Sequence, residues 1–70
     1  MTDHDGFREF VLARQQALMR MAYLLTGDAY LAEDLLQSVL IKIVGKWPKL
    51  SRAGNPKAYT RKALVNQYIS

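Results

Sequence analysis

The 70 residues contain no cysteine, so neither a disulfide nor a thiolate-bound metal can brace the chain. The single histidine, His4, has no second imidazole with which to share a metal ion. No apolar run approaches the roughly 20 residues that span a bilayer. The opening, Asp3 to Arg8, has neither the basic head nor the apolar stretch of a secretion signal. No nucleophile–base pair or carboxylate pair suggests a catalytic centre. A metalloenzyme, a membrane span and a disulfide-stapled secreted scaffold are thereby excluded, and no enzyme or bound cofactor is expected. What remains is half apolar by composition, enough for one small core that is marginal at this length.

Acid is missing from the second half altogether. Residues 1–34 hold all six acids (Asp3, Asp5, Glu9, Asp28, Glu33, Asp34) against three arginines, a net charge of −3. Residues 35–70 hold seven bases (Lys42, Lys46, Lys49, Arg52, Lys57, Arg61, Lys62) and no acid, a net of +7. A basic half of this kind is the footprint of polyanion binding, although lysines and arginines also serve simply to solubilise helices.

No strand pattern, repeat or low-complexity tract is present, and the hydrophobic spacing predicts an all-α, compact three-helix bundle over residues 1–70. Phe7, Phe10, Val11, Ala17, Leu18, Met21, Leu24 and Leu25 recur at spacings of three and four, predicting a first helix over about 5–25. Thr26-Gly27-Asp28 reads as a stop and a new cap, which sets the second helix antiparallel to the first. The second helix is expected over about 29–47, because Pro48 disfavours both its own continuation and a helical Trp47. Residues 48–54 then read as a flexible basic loop, and Asn55-Pro56 as the cap and first turn of a third helix over 55–69. The third pattern reaches Ser70 without a capping glycine, as expected of a domain cut from something longer.

On a helical wheel the second helix has more apolar surface than one core needs. Leu31, Leu35, Val39 and Ile43 form one stripe, and Leu36, Leu40 and Trp47 an adjacent one. The remaining arc carries Asp34, Gln37, Ser38 and Ile41 at i, i+3, i+4 and i+7. One apolar anchor among hydrogen-bonding groups suits contact with a partner helix, whereas a lone exposed isoleucine needs no explanation. Arg14, inside the apolar arc of the first helix, is expected to snorkel or to pair with Glu33 or Asp34. Around the expected loop, six bases alternate with Trp47, Tyr59 and Tyr68, the combination that single-stranded nucleic acid requires. Trp47 is better placed in the core, while Tyr59 suits either role; Ser51 and Asn55 could hydrogen-bond base edges.

Taken together these segments resemble region 2 of the sigma-70 family, in particular its extracytoplasmic-function (ECF) group. Ala32-Glu33-Asp34-Leu35-Leu36-Gln37 is similar to the signature opening region 2.2, and Ala22-Tyr23-Leu24-Leu25-Thr26-Gly27-Asp28 to the end of region 2.1. Asn55-Pro56-Lys57-Ala58-Tyr59 through Asn66 resembles the following segment, with Tyr59 in place of the usual tryptophan and Thr60 and Ala63 in place of larger apolar residues. The resemblance implies a cytoplasmic transcription initiation factor domain without chemistry of its own. It would set Asp34, Gln37, Ser38 and Ile41 against the β′ clamp helices of RNA polymerase core. It would set residues 49–55, with Lys49, Ser51, Arg52 and Asn55, against an extruded base of the −10 promoter element. Lys57, Tyr59, Arg61, Lys62 and Asn66 would then follow the non-template strand or the upstream duplex. An anti-sigma factor is a further partner that the resemblance allows. The family's region 4, which reads the −35 element, has no counterpart in residues 1–70.

Two other classes compete. A helix-turn-helix regulator would bind duplex DNA, but residues 48–54 are long for its usual turn of about 3–4 residues and the third helix starts with few base-reading side chains. A purely protein-binding helical module would leave the basic half incidental.

Overall fold

In a computed structural model, which describes residues 6–69, three helices follow one another as α1 (Phe7–Thr26), α2 (Ala29–Ala53) and α3 (Pro56–Ile69). His4 and the expected start of the first helix at Asp5 lie outside the described residues. α1 ends because Gly27 turns left-handed at φ 73° and returns its N–H to the Tyr23 carbonyl at 2.7 Å. Asp28 then starts α2, its Oδ1 accepting from the N–H of Tyr30 at 2.8 Å and of Leu31 at 3.0 Å. This tight turn makes α1 and α2 antiparallel: Phe7 and Phe10, early in α1, meet Trp47, late in α2, with ring centroids 5.4 and 5.1 Å apart.

The end of α2 corrects the expected boundary. The helix runs through Pro48 to Ala53, so residues 48–53 are helical and the flexible basic loop does not exist. An interior proline costs about 3 kcal/mol because Val44 loses its donor and the ring crowds the preceding turn. Two anchors hold the helix across it. Trp47 is 4 % exposed, so its indole fixes the chain entering the proline. At about 25 cal/mol per Å², burying about 150 Å² of tryptophan contributes on the order of 4 kcal/mol. Beyond the proline, Leu50 packs against the core and the Ser51 hydroxyl donates to the Pro48 carbonyl at 3.3 Å. The chain finally breaks at Gly54, whose N–H closes on the Leu50 carbonyl at 3.0 Å; a Cβ there would sit 3.2 Å from that same oxygen. Asn55 caps α3 through its Oδ1, which accepts from the Ala58 N–H at 3.2 Å.

The core is built on α2. Ala32, Leu35, Leu36, Val39, Ile43 and Trp47 are buried, facing Leu18 and Ala22 of α1 and Leu64 of α3. Lys42 reaches Gln67 and Lys46 reaches Tyr59, so α3 runs back along α2. Thr60 is fully buried and donates its hydroxyl to the Pro56 carbonyl at 2.7 Å, which explains how a polar residue sits where the family pattern has a larger apolar one. Three expected core positions are instead exposed: Leu31, at the open end of α2, and Ala17 and Leu24, on an arc of α1 that no helix covers. No described helix is long and apolar enough to cross a membrane.

Candidate interaction surfaces

The outer ridge of α2 carries the first set of predicted residues. Ile41 is 69 % exposed, Asp34 and Gln37 are exposed, and Ser38 is half-buried. They share one side of α2 at i, i+3, i+4 and i+7. Gln37 and Ile41 lean toward α1 and share a shallow depression of about 360 Å³ with Arg8, Leu12 and Val44. Asp34 and Ser38 lean the other way, toward Gln67 and Tyr68 at the end of α3. Leu12, 63 % exposed, belongs to the Ile41 side and was missed because nothing in the spacing of α1 ties an outward leucine to α2.

The second set converges where α2 passes Pro48 and meets the start of α3. Lys46, Lys49, Leu50, Arg52 and Tyr59 line a cleft of about 470 Å³ that contains no acidic residue. The Lys46 ammonium lies 5.9 Å from the centroid of the half-buried Tyr59 ring, within reach of a cation–π attraction. The helical continuation of α2 is what assembles this cleft. On a rigid helix Lys49 and Arg52 are three residues apart and share a side, which a flexible loop would not guarantee.

The remaining predicted residues divide between faces of α3. Lys62 and Asn66 lie at i+3 and i+7 from Tyr59, on its side of the helix, and both are exposed. Lys57 and Arg61 point about half a turn away and face α1 instead. Ser51 spends its hydroxyl proton on Pro48, and Asn55 spends its amide oxygen on the cap, leaving the amide hydrogens for a ligand. Trp47 is a core residue, and Tyr68 stands at the opposite end of α3 from the cleft. Arg14 is half-buried and lines a groove with the apolar Phe10, Leu18 and Met21, in keeping with the snorkelling alternative rather than a pairing with Glu33 or Asp34. No group of three or more metal-ligating side chains occurs among the described residues.

A match to the family Sigma-70 region 2 covers residues 10–70. The chain belongs to the sigma-70 region 2 family. Curated relatives include the RNA polymerase sigma-E factors of Streptomyces avermitilis and Streptomyces coelicolor, each 38 % identical over 60 residues, which is 86 % of this chain. That of Streptomyces antibioticus is 37 % identical over the same length. The chain spans about a third of the length of these relatives, 34 %, 34 % and 33 % respectively. No solved structure matches it. Membership of this family also replaces an argument that the structure removes. With α2 ending at Ala53, only Gly54 and Asn55 separate α2 from α3, so connector length no longer speaks against a helix-turn-helix.

Proposed function

We propose that this chain is the sigma factor domain that couples RNA polymerase core to the −10 promoter element in the cytoplasm. The observation that carries the reading is the acid-free cleft of Lys46, Lys49, Arg52 and Tyr59. A cationic wall holds the phosphates of an unwound strand, and the half-buried Tyr59 ring, which packs against the core and lies beneath the Lys46 ammonium, takes an unstacked base at its exposed edge as Lys46 moves to a phosphate. Asn55, at the mouth of α3, offers its amide hydrogens to the edge of that base. Lys62 and Asn66 continue the strand path along the outer side of α3, and Lys57 and Arg61 add positive potential on its other side. Ser51 contributes to holding the helix end and only secondarily to the strand.

The ridge of α2 faces the polymerase, its β′ clamp helices being the contact that the family resemblance implies. Ile41 supplies the apolar anchor, Gln37 a hydrogen bond beside it, and Asp34 and Ser38 a polar flank. The two surfaces occupy successive stretches of α2, residues 34–41 and 46–52, so the domain binds polymerase and strand together and lowers the cost of melting by holding the separated strand. No covalent step is involved.

The test is anisotropy with a labelled single-stranded −10-type oligonucleotide against its duplex. The single strand binds more tightly, and Tyr59→Ala removes most of the difference. Duplex preference, or a Tyr59→Ala variant equal to the parent, refutes the cleft as the reader.

A further inference from the structure

Gly45 stands well inside α2, where its φ is not positive and any residue could take its backbone conformation. Beyond its own stretch of helix, a Cβ there would meet no heavy atom of the described residues within 4 Å. Gly27 and Gly54 differ, each having a reason inside the fold: a left-handed φ of 73° at the one, a carbonyl 3.2 Å from any Cβ at the other. Glycine is the poorest helix former after proline, so for the isolated domain alanine is the more stable choice at position 45. What the glycine does provide is room. Gly45 is exposed and lines the acid-free cleft, together with Pro48, Lys49 and Arg52 at i+3, i+4 and i+7. The α2 side of the cleft thus passes from bare backbone at Gly45, over the exposed pyrrolidine ring of Pro48, to the two cations. Two residues that weaken a helix fall within one turn, and both border the same cleft.

We propose that Gly45 is a strand-contacting position, kept without a side chain so that an unstacked base lies against the bare backbone of α2 and on the Pro48 ring. This rests on the reading of the cleft as the site of the unwound strand. Omitting Cβ is the ordinary way for a backbone to let a ligand approach closely. A base seated there has the exposed edge of Tyr59 on its α3 side. Lys49 and Arg52 stand about 6 and 10 Å further along the helix axis at 1.5 Å per residue, where they meet phosphates beside that base. A methyl group at position 45 would occupy the space of the base while strengthening the helix, so stability and binding respond in opposite directions.

The test measures thermal melts and anisotropy with a labelled single-stranded −10-type oligonucleotide for the 70-residue chain, Gly45→Ala and Gly45→Val. Gly45→Ala raises Tm by about 4–8 °C and yet weakens the single strand at least about fivefold. Gly45→Val, bulkier but less favourable to the helix, weakens it further, toward the loss caused by Tyr59→Ala. That order separates contact from stiffening, because a glycine retained for helix flexibility would make alanine the more damaging change. In a series of strands with one base at a time removed to leave an abasic site, the penalty of Gly45→Ala disappears at one position. Gly45 variants equal to the parent, a larger loss for alanine than for valine, or a penalty that persists on every abasic strand overturns the proposal. A parent chain that shows no preference for the single strand fails the reading of the cleft itself, whereas a parent that prefers it alongside indifferent Gly45 variants fails this inference alone.

Discussion

Ile41→Glu separates binding from folding more sharply than any other single change. Fully burying an isoleucine is worth about 2 kcal/mol. With 69 % of Ile41 still in water, a docking partner can withdraw up to about 1.4 kcal/mol more, close to tenfold in Kd. Truncation to alanine should cost somewhat less than that factor. A glutamate should cost much more, because its carboxylate must lose water against an apolar partner surface, and the combined loss should exceed about a hundredfold. Stability should change by less than about 0.5 kcal/mol, since the side chain contributes little to the core. The assay is titration of labelled chain with RNA polymerase core, alongside a thermal melt of each variant. A Kd within twofold of the parent refutes the ridge as the docking face. A large drop in Tm refutes the claim that Ile41 is a surface residue.

Tyr59→Ala should weaken single-strand binding by about 1–3 kcal/mol, the usual worth of one stacked base, and an oligonucleotide titration measures it directly. Removing either Lys49 or Arg52 should reduce the slope of log affinity against log salt by about 0.7, as expected for one phosphate contact on a single strand. A salt titration that leaves the slope unchanged would take both residues out of the strand path. Pro48→Ala should raise stability by at least about 1 kcal/mol, seen as a Tm increase of about 4–8 °C for a domain of this size, because Val44 regains its donor. Asp28→Ala should lower stability by about 1 kcal/mol through loss of the bonds to the Tyr30 and Leu31 amides, read by denaturant melts.

The elements that were legible in the sequence are those in which local chemistry and burial agree. Gly27 and Asp28 mark the first turn by a left-handed conformation and a side-chain cap, and both functions are visible from residue type alone. The outward position of Ile41 followed from helical spacing, because α2 has only one side free of the stripes it must bury. The end of α2 was not legible. Proline carries a local penalty that reads as a stop, whereas the burial of Trp47 and Leu50 that outweighs it is a tertiary effect. That single displacement changed the character of the DNA-facing candidates, from residues on a pliable loop to residues fixed on one side of a rigid helix. The division of Lys57 and Arg61 from Tyr59, Lys62 and Asn66 was implicit in their numbering, but clustering along the chain hid it. Thr60 and Leu64 were missed as core residues because the weak apolar stripe of α3 gives no clear inward direction.

The separation of the two surfaces is tested most directly by an amide chemical-shift titration of the 70-residue chain with a single-stranded −10-type oligonucleotide. Shifts at Lys46, Lys49, Leu50 and Tyr59, with Gln37 and Ile41 unmoved, are the expected result. Shifts centred on Gln37 and Ile41, with the cleft silent, would contradict the account.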